Sequence, residues 1–150
     1  MSIIPIEVAM QHVYANPDDQ PQVERKLASA IETAEQFMNR RLYATAGELE
    51  TAKIQAAADI RALAEVSSTT LLSQDNEVLL KLQTNINQTK FFQAKMAMLG
   101  IVVNPAIEIG ILLILGELYK NRENTVESTV TELPMGAKHH LQPFRIDMGV

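Results

Sequence analysis

The chain has no cysteine, which excludes a disulfide framework and a thiolate metal site, leaves packing alone to hold the fold, and suits a reducing compartment. Glycine and proline are sparse, six of each in 150 residues, and they fall at the edges of apolar-periodic segments, where they punctuate the chain. Long apolar runs are missing too. The longest, Ile109 to Gly116, is far short of the ~20 residues that cross a bilayer, and Glu108 interrupts any extension. Met1 to Ile6 shows neither the basic nor the long apolar region of a secretory signal. Positive charge is thin: the net charge is -5, and Arg25-Lys26 and Arg40-Arg41 stand as isolated pairs. Tight binding to a phosphate backbone draws on clustered Lys and Arg, so this balance disfavours it.

The groups that carry common chemistries are also wanting. There is no Cys nucleophile and no G-x-S-x-G elbow. The glycines at 47, 100, 110, 116, 136 and 149 are too scattered for a phosphate-binding loop. A di-metal carboxylate site in a helical bundle needs Glu-x-x-His, and no histidine here follows a glutamate by three. His139 and His140 are adjacent, so on a helix they point about 100° apart, and a solvated or interface pair is the expected reading. No catalytic residue, cofactor or metal site is expected.

What remains is a chain that is 47% apolar and 21% charged, a globular composition at a length suited to one domain, 1-150. The pattern is almost wholly helical. Pro5 opens a short helix with Ile6, Met10 and Val13. Pro21 opens a second, in which Val23, Leu27, Ile31, Ala34, Phe37, Met38 and Leu42 keep a 3.6 period. Leu49, Ala52, Ala56, Ile60 and Leu63 mark a third helix, from about Thr45 to Glu65, which Ser67-Ser68-Thr69-Thr70 is expected to break. Asp75 serves as N-cap for a fourth, running to Leu99 along Leu79, Leu82, Ile86, Phe92 and Met96, with Gly100 as its C-cap. Its amides, Gln83, Asn85, Asn87, Gln88 and Gln93, form a wet face or a polar subunit contact. Asn104-Pro105 gives the N-cap and N1 signals of a fifth helix, apolar nearly all round and so the centre of the fold, with Leu113 and Leu115 as core residues and Glu108 favouring the helix dipole. Thr125 to Thr131 reads as loop or short strand, and Pro134 to Leu141 as a last short helix before an extended tail. The expectation is an all-α, compact bundle of about five helices plus that short helix and tail.

Three segments carry a family likeness. Asn104-Pro105-Ala106-Ile107, Gly110-Ile111-Leu112-Leu113 and Leu118-Tyr119-Lys120-Asn121-Arg122-Glu123 form a proline-initiated apolar helix ending in Tyr-x-x-Arg-Glu. Leu133-Pro134-Met135-Gly136 with Leu141, Pro143, Phe144 and Arg145 follows as a closing Leu-Pro-x-Gly and Leu-x-Pro-Phe-Arg element. The opening has Ile6-Glu7-Val8-Ala9, an acidic Asp18-Asp19 turn and a long helix ending Asn39-Arg40-Arg41-Leu42. In order and spacing these resemble the head-tail connector family of tailed bacteriophages, the head-completion or DNA-packaging adaptor proteins. The likeness spans about residues 3 to 43 and 104 to 146, and the middle departs from it. It implies a structural virion protein of the phage neck, assembled in the host cytoplasm. Such a protein forms a homo-oligomeric ring, twelvefold to match the portal above, with a tail or stopper protein below and double-stranded DNA passing through without specific binding.

Residue roles follow. Tyr119 and Arg122, one turn apart on one face, fix the end of the fifth helix against the C-terminal element, or Arg122 simply favours the helix C-terminus. The segment 134-150 is assigned to contacts with a neighbouring subunit: Leu141 and Phe144 are apolar anchors, and Arg145 is a planar fork for a carboxylate. The alternative is that Leu141 and Phe144 fold back on their own domain. Two other function classes stand beside the connector: a helical adaptor or regulatory protein binding a partner, which would stay monomeric or dimeric, and a small helical enzyme, which an activity screen would reveal.

Overall fold

Six helices carry almost all regular structure among the described residues of the computed structural model: α1 (Ile6–His12), α2 (Gln20–Met38), α3 (Ala46–Thr70), α4 (Glu77–Met98), α5 (Pro105–Lys120) and α6 (Met135–Leu141). The described residues are 3–70, 77–120 and 133–146, with side chains described outside 66–80. The mostly helical class expected from the sequence is what the chain adopts, with one addition. Two short strands, β1 (Leu42–Tyr43) and β2 (Ile101–Val102), pair in parallel, Leu42 opposite Ile101 and Tyr43 opposite Val102.

Helix α5 starts where its chemistry dictates. The Asn104 side chain accepts the backbone N–H of Ile107 at 3.0 Å, and Pro105 fills a first-turn position where no donor is needed. Ile107, Ile111, Leu112, Ile114 and Leu115 are buried, so this helix is the centre of the body, with α2, α1 and α6 packed round it. From α2 the core takes Val23, Leu27, Ala30, Ala34 and Met38, and from the N-terminal stretch Ile4 and Ala9. Gly110 is required by close approach: a Cβ there would lie 2.8 Å from the Leu141 side chain, so α6 sits directly on α5.

Helices α3 and α4 pack on each other and leave the body as a two-helix arm. The paired strands form its waist, because α3 also touches both β1 and β2. Thr45 and Glu48 begin α3 as a capping box. The Glu48 N–H reaches Thr45 Oγ1 at 3.2 Å, and Glu48 Oε2 accepts the N–H groups of Ala44 and Thr45 at 3.1 and 3.3 Å.

Some elements differ from expectation. The second helix ends at Met38 instead of reaching Leu42, because Asn39 takes the left-handed conformation, φ 55°, and turns the chain so that Leu42 enters β1. Ser67 to Thr70 do not break α3, which continues through Thr70; Ser and Thr each cost only about half a kcal/mol of helix propensity, too little to end a long helix. Gly100 follows α4 but does not adopt a positive φ. It is needed because a Cβ there would collide with the Tyr43 ring. Asp75 as N-cap, Arg122 and the stretch from Thr125 to Thr131 lie outside the described residues.

Candidate functional site

The turn after α2, Asn39-Arg40-Arg41, is where the body, the arm and the C-terminal segment meet. With its backbone left-handed, Asn39 aims its amide outward from the helix end, and its Nδ2 donates to the carbonyl of Ile146 at 2.9 Å. The Ile146 N–H in turn donates to the Met38 carbonyl at 3.1 Å. Arg40 bridges two elements: its Nε donates to the Leu99 carbonyl at 2.6 Å, at the end of α4, and its Nη1 to the Phe144 carbonyl at 3.3 Å. The Met38 and Leu99 carbonyls lie at helix ends, where intrahelical donors run out.

Arg41 points the other way, toward the arm. Its Nη1 forms a salt bridge with Glu35 Oε2 at 2.6 Å, and its Nη2 donates to Gln93 Oε1 of α4 at 2.6 Å. Glu35 is the buried charged residue of the body, and its second oxygen accepts the Leu42 N–H at 2.8 Å. The carboxylate thus meets a cation and a backbone donor, which a buried charge requires. The Arg41 backbone contributes as well: its N–H reaches the Met96 carbonyl and its carbonyl takes the Ile101 N–H, both at 3.0 Å. Beside this knot, burial pushes the Tyr43 phenol above the usual tyrosine range; the Arg41 charge pulls it back and the Glu35 charge adds to the rise. The basic pair that looks isolated in sequence is therefore a structural staple. Glu35 itself is signalled by its register, four residues after Ile31 and three before Met38 on the apolar face of α2.

The C-terminal segment does not divide as expected. Leu141 has no exposed surface and belongs to the core of its own domain, so it cannot reach a neighbouring subunit without leaving that core. The fold-back reading holds for it, because Gly110 opens the space into which it packs. Phe144 is half-buried against the same core. Arg145 lies with its guanidinium carbon 5.1 Å from the centre of the Phe37 ring, a cation–π contact within the chain. The Tyr119 hydroxyl donates to Asp19 Oδ2 at 3.0 Å, tying the end of α5 to the turn before α2. Lys26 of α2 reinforces that tie by donating to the Leu118 carbonyl. Leu115 is fully buried, while Leu113 is half-buried and faces Gly136, whose Cβ would lie 3.2 Å away.

Two further surface features are seen among the described residues. Between α3 and α4 runs a cleft of about 690 Å³, floored by Ala52, Ala56, Ala62, Ala94 and Ala97, with Asp59 and Lys90 at its walls. Near the C-terminus His139 and His140 stand edge to face with ring centres 6.3 Å apart, beside a shallow depression on α6. Among the described residues no group of three or more His, Asp or Glu side chains is placed to hold a metal ion, and no helix there is long and apolar enough to cross a membrane. The chain matches no protein-family model, no curated protein and no solved structure.

Proposed function

We propose that this chain is a ring-forming structural subunit of a phage neck, a head-tail connector seated beneath the portal with double-stranded DNA passing through its centre. The observation that carries the reading is convergence. The three segments that resemble the connector family lie far apart in sequence, yet they form one packed unit. Asn39 and Arg40 hold the carbonyls of Ile146 and Phe144, and Leu141 rests on Gly110 of α5. The middle of the chain, where the resemblance fails, is the arm that stands outside this unit. A likeness that came from chance would have no reason to respect the boundary between body and arm. The net charge of -5 fits a channel subunit that lets DNA slide, since few cations make few lasting phosphate contacts.

The test is assembly. Purified chain, alone and mixed with portal particles, is examined by negative-stain electron microscopy, and rings or a discrete collar on the portal are expected. A second reading, an adaptor that takes a partner helix, is favoured by the alanine-floored cleft between α3 and α4, because small residues let a third helix approach closely. Such an adaptor would remain a monomer or dimer at every concentration and leave portal particles bare.

A further inference from the structure

We propose that the α3–α4 arm is a lever held at its angle by a two-point arginine clamp, and that the clamp releases while body and arm both stay folded. The inference stands apart from the ring reading, because it concerns only how this chain holds its own two parts.

Among the described residues the two parts share no apolar core. The core of the body draws on α1, α2, α5, α6 and the residues next to them, and takes no side chain from α3 or α4. On the arm, Ala56, Ala94 and Met96 are buried outside that core. Helix packing divides the same way: α3 packs on α4, while α2 and α6 pack on α5. The waist pins only the feet of the arm. Leu42 lies in the core of the body, Ile101 and Val103 pack against it, and a ladder of two residues per strand joins them. Two feet define an axis, and a hairpin held at its feet can still tilt about that axis. The strand pair adds little stiffness of its own, since two-stranded ribbons accept a wide range of twist.

What opposes the tilt is polar. Arg41 Nη1 holds Glu35 Oε2 of α2 and its Nη2 holds Gln93 Oε1 of α4, each at 2.6 Å, so one planar group spans body and arm. Glu35 makes a firm anchor, because its other oxygen accepts the Leu42 N–H and the carboxylate is kept from turning. Arg40 supplies the second grip. Its Nε holds the Leu99 carbonyl just past α4, and its Nη1 holds the Phe144 carbonyl of the C-terminal segment. Gln93 and Leu99 are six residues apart, about 9 Å along a helix, so the two grips fix a direction as well as a point. Such a clamp differs from a shared core in one respect: opening it uncovers no apolar surface. The arm can therefore turn as a unit, and a partner that binds the turned form better can drive the change.

The chain has no cysteine, so nitroxide labels go on Ala28→Cys of α2 and Ala64→Cys of α3, both exposed positions. The labelled full chain is diluted with unlabelled chain, so that only distances within one copy count. Double electron–electron resonance reads the span from body to arm, and circular dichroism melts read folding. The doubly labelled protein should give one narrow distance. Gln93→Ala removes the acceptor on the arm and leaves Glu35 neutralised by Arg41, and it should about double the width of the distribution with helicity unchanged. Arg40→Ala opens the other grip and should broaden it as well, the two together most of all. Gln93→Glu keeps an acceptor for the guanidinium and should stay narrow. Equal widths in the folded variants would overturn the clamp and assign the arm's direction to the waist and the Thr45–Glu48 capping box. A broad distribution in the labelled protein before any clamp substitution would overturn it too, as would broadening that comes only with loss of helical signal. Widths in the expected order would support the clamp whether or not the chain assembles on portal particles.

Discussion

Leu115 has no exposed surface and touches the core from the middle of α5, so Leu115→Ala should cost about 2–5 kcal/mol through lost burial and a cavity. Leu113, half-buried beside Gly136, should cost about 1–2 kcal/mol on the same change, because less apolar area returns to water. Chemical denaturation of both variants reads the difference, and equal losses would contradict the placement of α5. Arg41 stakes more on polar geometry. Its removal leaves the buried Glu35 carboxylate with one donor and strips Gln93 of its partner, so Arg41→Ala should destabilise by about 1.5–3 kcal/mol. Arg41→Lys should recover little of that, since an ammonium cannot span both oxygens as the planar fork does. A Lys variant as stable as the wild type would show that charge alone suffices.

Within the elements, the capping box of α3 ties stability to pH. The Glu48 carboxyl is held below the usual carboxylate range: desolvation acts to raise it, and the N–H groups of Ala44 and Thr45, bonding the charged form, are among the causes that bring it down. A group whose folded value is depressed stabilises above its unfolded value and loses that contribution as pH falls through the folded one. Glu48→Gln should therefore lower the melting temperature at pH 7, and the gap to the wild type should close as pH falls through and below the carboxylate range. A gap independent of pH would assign the effect to packing instead. The C-terminal element makes a different prediction. Because Phe144 packs on its own core and Arg145 stacks on Phe37, Phe144→Ala with Arg145→Ala should lower the melting temperature of the isolated chain. An unchanged melt with assembly lost would return the segment to a neighbour contact. At this scale the sequence is legible where local chemistry decides. Asn104-Pro105 and an unbroken apolar run locate α5, and the expected start of the third helix at about Thr45 falls where the Thr45–Glu48 capping box sits. It is silent where distant residues decide: the partners of Asn39 and Arg40 lie 107 and 104 positions away. Leu82 and Ile86 stand four apart on one side of α4, but the spacing does not say whether the same chain covers that side.

At the scale of the whole molecule, the described helices divide into a body and an arm. The body draws on both ends of the chain, α1 and α2 with α5 and α6, so its long-range contacts close only when the termini come together. The arm adds a local hairpin at the β1–β2 waist. With net charge -5, the isolated subunit should bind duplex DNA no tighter than about 1 µM at physiological salt; a tight, sequence-specific footprint would point to a regulatory protein instead. The central claim is that the body is a connector subunit and therefore assembles in rings. Native mass spectrometry of the purified chain with portal particles, supported by negative-stain images, addresses it most directly. The account predicts a closed ring of a single discrete copy number, seated coaxially on the portal. Subunits that remain monomeric at every concentration, with portal particles left bare, would contradict it.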